Sequence, residues 1–254
     1  MELALIGYGR MGRAIEAVAL DRGHEIVAIV DPAAAGARVR PRIDREALSG
    51  ARVAFEFTSS SSAEPNVIAL LEAGVAVVCG TTGWTPGADV RRAARRATVG
   101  AVVAPNFSIG MNLFYAVVRE AARLAGAADL YDPFVVEQHH RAKLDSPSGT
   151  AMHLAAIVRE AAPSFAEIET GSPSRGTVSA RAIHVASVRA GHEPGTHTVG
   201  FDGAHDRITL THAARGRGGF ALGALLAAEW IVGRAGLHGF DEVVRDLVAG
   251  GGRT

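Results

Sequence analysis

The sequence predicts an α/β protein. A doubly wound parallel sheet comes first, and a second, α+β domain built on a mixed or antiparallel sheet follows. Three observations predict it. Up to Ile109, short apolar runs alternate with segments of helical spacing. Each run ends in Gly, Thr, Ser or Asn, the residue types of ligand-binding turns. Between Val178 and Ala213 the pattern changes to shorter strand-like runs separated by turn residues.

The elements follow in order. Leu3 to Ile6 is a strand, and Gly7-Tyr8-Gly9-Arg10-Met11-Gly12 is a glycine turn. Met11, Ala14, Ile15, Val18 and Ala19 then recur at helical spacing, with Gly23 as the stop. Ile26 to Val30 is a second strand, ending at Asp31-Pro32. Val53 to Phe57, Val75 to Cys79 and Val99 to Ala104 read as strands, with helices over Pro65 to Leu71 and Pro86 to Ala97. Apolar strands alternating with helices imply a sheet buried on both faces. Further on, a helix is expected from Asn112 to Leu124, a strand from Phe134 to Glu137, and a helix from Thr150 to about Ala161. Three candidate antiparallel strands centre on Ile183 to Val188, Thr198 to Phe201 and Ile208 to Thr211. Helices over Phe220 to Val232 and Phe240 to Val248 are expected to return to the first domain. The expected division is 1–109 with 215–254 as one domain, and 110–214 as the other.

Composition narrows the function. Lys+Arg and Asp+Glu number 26 each, so no net charge draws the chain to nucleic acid or an anionic membrane. No apolar run approaches the roughly 20 residues of a membrane span. The start runs straight into a strand without the pattern of a secretory leader. With a single cysteine, Cys79, disulfide and cysteine-metal sites within the chain are excluded. A cytoplasmic location is expected. Arg91-Arg92-Ala93-Ala94-Arg95-Arg96 reads as a solvated helix face, and Trp84 and Trp230 read as packing residues. No metal site is expected. His184, His192, His197, His205 and His212 are scattered, and no His-Glu-x-x-His occurs.

The glycine turn follows a strand, opens a helix, and has Asp31 about 20 residues on. That context predicts a Rossmann-type dinucleotide site. Gly7 permits the tight turn, Gly9 lets a pyrophosphate approach, and Gly12 lets the helix pack. The helix start supplies N–H groups to the phosphates, and Asp31 accepts from the adenine ribose. A carboxylate at 31 repels a 2′-phosphate, which favours NADH. Arg38 or Arg40 leaves NADPH open.

The densest chemistry is Glu137-Gln138-His139-His140-Arg141-Ala142-Lys143-Leu144-Asp145-Ser146-Pro147-Ser148-Gly149-Thr150-Ala151. Two histidines and a lysine follow a strand, and Ser148-Gly149-Thr150 stands where a helix begins. A helix start attracts anions. The segment therefore reads as a pocket for a small carboxylate-bearing substrate with a proton donor beside it.

This segment strongly resembles the signature of the dihydrodipicolinate reductase family of bacterial lysine biosynthesis. Gly80-Thr81-Thr82-Gly83, Ala104-Pro105-Asn106-Phe107-Ser108-Ile109-Gly110-Met111-Asn112, Val188-Arg189-Ala190-Gly191, Gly195-Thr196-His197 and His212-Ala213-Ala214-Arg215 are similar to further stretches of it. The resemblance implies His139 as acid/base and Lys143 as proton donor. It implies His140, Gly149 and Thr150 as substrate-binding residues, and Ser148 at the helix start and Arg215 are candidates beside them. Cofactor contacts are implied at Gly7, Tyr8, Gly9, Arg10, Met11, Gly12, Asp31, Thr58, Gly80, Thr81, Thr82, Ala104, Pro105, Asn106 and Phe107. It also implies hydride transfer from NADH or NADPH to a cyclic dicarboxylate imine, and a homotetramer formed through the second domain's sheet. The family's commoner glycine turn is one residue longer, so the shorter turn here bears on which cofactor is preferred. Two other readings are carried: a different small-substrate dehydrogenase, such as an amino-acid dehydrogenase, and a non-catalytic dinucleotide sensor.

Overall fold

The computed structural model describes residues 1–34, 36, 39–44, 46–48, 50–171 and 176–250. Arg38 lies outside the described residues. Two compact units emerge, Met1–Ile109 with Arg217–Thr254, and Gly110–Gly216.

The first unit holds strands β1 (Glu2–Ile6), β2 (Glu25–Val30), β3 (Val39–Arg40), β4 (Val53–Glu56), β5 (Ala76–Cys79), β6 (Gly100–Val103) and, late in the chain, β12 (Gly236–His238). They form one sheet in the order β12-β6-β5-β4-β1-β2-β3, and every pairing is parallel. Without the added edge strand β12, this is the doubly wound dinucleotide-binding order, whose switch point falls between β1 and β4. Side chains along β1 alternate between two cores, which explains the unbroken apolar run. Leu3 and Leu5 pack on Ile15, Ala19, Leu225, Phe240 and Val243. Those residues come from helices α1 (Arg10–Asp21), α6 (Gly218–Ile231) and α7 (Phe240–Ala249). Ala4 and Ile6 pack on Val67, Leu70, Val90 and Ala94, from helices α2 (Ser60–Glu72) and α3 (Ala88–Arg96) on the opposite face. Each fully buried Leu, Val or Phe contributes roughly 1.5–3 kcal/mol.

The second unit holds α4 (Ile109–Ala128), most of whose residues fall here, β7 (Tyr131–His139), α5 (Gly149–Ala161), β8 (Glu167–Thr170), β9 (Ala182–Arg189), β10 (Thr196–Gly203) and β11 (Arg207–Ala213). Its sheet has the order β11-β10-β7-β9-β8. Val135, Ile183, Val185, Val199 and Phe201 line one face and pack on Phe114 and Val118 of α4 and Leu154 and Ile157 of α5. The other face carries Thr198 and Thr211, whose hydroxyls meet at 3.0 Å, and Val188, which is 45% exposed.

Several expectations need correction. The strand over 183–188 is not antiparallel to its neighbours: β9 runs parallel to both β7 and β8, so the sheet is mixed. Helix α2 begins at Ser60, five residues before Pro65. The serines start the helix with backbone bonds, Ser59 C=O accepting from Ser62 and Ala63, and Pro65 then sits inside it. Helix α4 starts at Ile109 and runs to Ala128, beyond both expected ends. Strands β3, β8 and β12 were not expected. They have two to four residues each and lack an apolar run.

Candidate active site

The glycine turn joins β1 to α1 at the switch point. Gly7 has φ +92°, and a Cβ on it would meet the Phe57 carbonyl oxygen at 2.2 Å. A Cβ on Gly12 would meet the Gly7 carbonyl at 2.3 Å, so both positions require glycine for packing. Gly9 differs. Its φ is −80°, and a Cβ there would have nothing within 4 Å. Neither a positive φ nor packing within the chain calls for glycine at 9. Gly9 is the N-cap of α1 and makes no side-chain cap, and Gly9 and Arg10 are exposed. This helix start therefore suits the diphosphate of a dinucleotide.

Asp31 closes the same end of the sheet, at the tip of β2. Its Oδ2 accepts the Tyr8 N–H at 2.7 Å, and its Oδ1 accepts the N–H groups of Ala33 and Ala34 at 2.8 and 3.2 Å. Partial burial alone would raise its pKa, but these three N–H groups and nearby Arg13 hold the carboxyl below its ordinary value. It is ionised, with lone pairs left for ribose hydroxyls.

The turns after β4 and β5 share a carboxylate that sequence reasoning did not single out. Glu56 is fully buried. Its Oε1 accepts from the Thr58 hydroxyl and, at 3.1 Å, from the Asn66 amide. Its Oε2 accepts from the Thr81 hydroxyl at 2.6 Å and the Cys79 thiol at 3.1 Å. Thr81 in turn accepts the Thr58 N–H at 2.8 Å. Thr58 and Thr81 are thus fixed by one carboxyl group, while Thr82 is exposed. Burial beside Glu56 pushes the Cys79 thiol far up, which makes it an inert packing residue. Trp84 donates its indole N–H to the Thr81 carbonyl at 3.0 Å. Gly80 lies against the Phe57 ring. In the loop Ala104 to Phe107, Phe107 stacks at a tilt on Phe57 and Phe240, with centroids 6.0 and 4.8 Å apart.

In the second unit the polar segment leaves β7 and enters α5. Glu137 and His139 stand two residues apart on one strand, so both point to the inner face. His139 Nδ1 contacts Glu137 Oε2. Glu137 Oε1 accepts from Arg189 Nη2 at 2.6 Å and from the Ser148 N–H at 3.2 Å. Ser148 caps α5, its hydroxyl accepting the Ala151 N–H at 3.2 Å and lying 3.3 Å from His197 Nε2. The Ser148 side chain therefore faces inward, and Gly149 and Thr150 present the helix start. Lys143 Nζ donates to Asp145 Oδ1 at 2.7 Å, and Asp145 Oδ2 accepts the Gly149 N–H at 3.3 Å. The lysine and the helix start are thereby held side by side. His140 is half-buried, and its N–H donates to the Glu193 carbonyl at 2.8 Å. Arg215 is exposed and follows Ala214, whose N–H donates to the Gly195 carbonyl at 2.9 Å.

Sequence reasoning missed Arg189, His197 and Asp145, and gave Glu137 no role. Arg189 and His197 arrive by strand pairing: His139 is in register with Arg189, and Glu137 with His197. Histidine was expected to be scattered, yet His139 and His197 stack edge to face at 5.1 Å. With Glu137 they put ligand-type atoms within 4.8 Å of one another. A cation there would compete with the Arg189 guanidinium for Glu137, so the cluster suits proton handling better than metal binding.

The electrostatics follow from burial. Desolvation would raise Glu137, but Arg189 and His139 outweigh it and hold the carboxyl at about 2. Burial lowers His139; Glu137 offsets part of this, and Lys143 and Arg189 add to it. Burial, with His139 next to it, pulls His197 from 6.5 to about 4. The unfolded chain takes up a proton at His197 below about pH 6.5, whereas the folded one resists until about 4. Stability from this group is complete above pH 6.5 and is lost as the pH falls toward 4. The Glu137 contribution is complete above 4.5 and is lost as the pH falls toward 2. Thermal melts should show the midpoint falling by several degrees between pH 7 and 5. His197→Gln should flatten that slope, and an unchanged slope would contradict the assignment.

Comparisons with known proteins cover both units. The family model "Dihydrodipicolinate reductase, N-terminus" matches residues 1–107, and "Dihydrodipicolinate reductase, C-terminus" matches residues 110–244. The chain is similar to the 4-hydroxy-tetrahydrodipicolinate reductase of Christiangramia forsetii, with 34% identity over 97% of this chain and 99% of that protein. It is also similar to the enzyme of that name from Thiobacillus denitrificans, with 38% identity over 93% and 95%. Among solved structures, a dipicolinate-bound dihydrodipicolinate reductase from Paenisporosarcina sp. TG-14 matches with a TM-score of 0.76 and 26% identity, covering 95% of this chain and 98% of the other.

Proposed function

Because this chain belongs to the dihydrodipicolinate reductase family, its reaction is the pyridine-nucleotide-dependent reduction of 4-hydroxy-tetrahydrodipicolinate on the route to lysine, and we propose that His139 and Lys143 carry the proton transfer. The observation that carries the assignment of residues is the joining of His139, Lys143 and the start of α5 through Glu137 and Asp145.

When bound, the reduced nicotinamide would supply a hydride to carbon 4 of the conjugated ring that forms once the 4-hydroxyl has left as water. The chain's own residues do the rest. Gly9, the N-terminus of α1 and Asp31 hold the dinucleotide, with Thr58, Thr81 and the Ala104–Phe107 loop beside it. The start of α5 binds a carboxylate through the Thr150 N–H and, on displacement of Asp145, the Gly149 N–H, assisted by the helix dipole. His140 offers a ring N–H to the dicarboxylate, and Arg215 neutralises it further. Lys143 donates a proton to the electron pair displaced along the conjugated system, with His139 beside it to hold or return one. Fixing both carboxylates orients the ring, which can supply several kcal/mol of barrier reduction.

A coupled assay tests this. Dihydrodipicolinate synthase, pyruvate and aspartate semialdehyde generate the substrate, and loss of NADH or NADPH absorbance reports turnover. No loss with either cofactor would overturn the reading.

NADH is the preferred cofactor in this proposal, because the ionised Asp31 repels a 2′-phosphate. Arg40 pairs with Asp31 through the main chain, its carbonyl accepting the Asp31 N–H at 2.9 Å, and is the candidate for a countering charge. Asp31→Ser should shift the NADH-to-NADPH ratio of kcat/KM toward NADPH by about tenfold, or ~1.4 kcal/mol. An unchanged ratio would remove Asp31 from cofactor choice.

The second unit's outer sheet face, with Val188 and the Thr198–Thr211 pair, supports assembly into a homotetramer through that sheet. Sedimentation at four times 26.3 kDa would bear this out, and a monomer would refute it. The buried thiol of Cys79, the chain's single cysteine, suits the reducing cytoplasm. Among the described residues, no helix is long and apolar enough to cross a membrane.

A further inference from the structure

We infer that Glu137 is a positioning residue: it fixes the tautomer of His139 so that Nε2 is the nitrogen that exchanges a proton, and it ties that ring to the substrate-binding start of α5. The inference rests on the proposed acid/base role of His139 but is measured independently of it.

The carboxylate of Glu137 is fully buried and its two oxygens have separate tasks. Oε2 meets His139 Nδ1. An ionised carboxylate only accepts hydrogen bonds, so Nδ1 carries the proton and Nε2 is left as the base. Oε1 accepts the N–H of Ser148, the cap of α5, at 3.2 Å. One anion therefore sets the ring of His139 and the first turn of α5 together.

The groups around this pair keep it in that state. Arg189, from the neighbouring strand β9, donates to Oε1 at 2.6 Å and to the Asp145 carbonyl at 2.7 Å. It neutralises the buried charge and is itself anchored to the loop that carries Lys143. From β10, His197 packs edge-on against the His139 ring, and the charge of Lys143, in the loop, acts on the ring. Both add positive or neutral surroundings that disfavour a second proton on His139. Oppositely placed is Gly195. A Cβ on it would lie 2.9 Å from His139 Nε2. The lack of a side chain at 195 thus keeps that crowding away from the one nitrogen that Glu137 leaves unprotonated. Two strands and a turn agree on the same atom.

The test reads the tautomer directly. Long-range ¹H–¹⁵N spectra of the full-length protein above pH 7 report which imidazole nitrogen of His139 bears hydrogen, with His139→Asn identifying its signals. The expected result is protonated Nδ1 and bare Nε2. In Glu137→Gln the side-chain amide donates toward Nδ1, so the proton moves to Nε2. The coupled assay should then show kcat lower by about 10²–10⁴-fold, with the NADH dissociation constant unchanged. Glu137→Asp restores the charge and should recover the wild-type tautomer in part. A wild-type ring protonated at Nε2 overturns the inference, as does a Glu137→Gln protein whose His139 keeps the wild-type tautomer; a moved tautomer with kcat within threefold of wild type overturns instead the acid/base role of His139. If Glu137→Gln does not fold, the wild-type spectrum still decides. A correct tautomer in a protein inactive in the coupled assay would instead indict the proposed reaction and leave the pairing standing.

Discussion

Replacing Lys143 by alanine is expected to lower kcat by about 10²–10⁴-fold, the range spanned by positioned general acids, while NADH binding survives. The lysine lies in the loop between β7 and α5, and its ammonium is 2.7 Å from Asp145. Its removal has two consequences. The proton donor is lost, and Asp145 is left as an uncompensated carboxylate whose other oxygen already accepts the Gly149 N–H. That anion then repels a substrate carboxylate from the start of α5, so KM should rise as well. Lys143→Ala combined with Asp145→Asn separates the two effects. The double variant should recover KM but not kcat. The Lys143–Asp145 pair is partly exposed, so stability should change by no more than ~1 kcal/mol. Turnover is measured in the coupled assay and NADH affinity by fluorescence titration. Near-wild-type kcat in Lys143→Ala would sink the role.

Gly9→Ala should fold like wild type and yet lose at least about tenfold in NADH affinity, or ~1.4 kcal/mol. The added methyl meets nothing of the chain within 4 Å, and φ is −80°, a value any residue adopts. What it does meet is the space above the start of α1. Gly7→Ala provides the contrast. There a methyl would stand 2.2 Å from a backbone oxygen at φ +92°, so stability and NADH binding should fall together. Melting curves and fluorescence titration on both variants distinguish the cases. Unaltered NADH affinity in Gly9→Ala would remove the glycine turn from the cofactor site.

Much of the fold was legible because its signals are local. The run Leu3 to Ile6, the glycine turn and Asp31 lie within one strand-turn-helix-strand unit, so spacing alone reported their arrangement. Buried strands of the first sheet are apolar on both faces, which made β1, β2, β4, β5 and β6 readable. Strands β8 and β12 carry Glu-Ile-Glu-Thr and Gly-Leu-His, which bury too little to leave a pattern. The parallel direction of β9 could not be read, because orientation depends on which strand lies beside it and not on β9 itself.

The site divides in the same way. The sequence by itself determined the helix start at Ser148-Gly149-Thr150, the lysine beside it and the histidine pair, because capping and strand-to-helix succession act over a few residues. It also held the placement of Glu137 two positions before His139, from which strand periodicity alone would put both on one face. The tertiary structure decided that Arg189 neutralises that glutamate, that His197 packs against His139, that Gly195 brings no side chain against Nε2, and that Glu56 braces Thr58 and Thr81 from across β4 and β5. These contacts join residues up to 58 positions apart, and register between strands is set by the burial of whole faces, a property no local stretch of chain possesses.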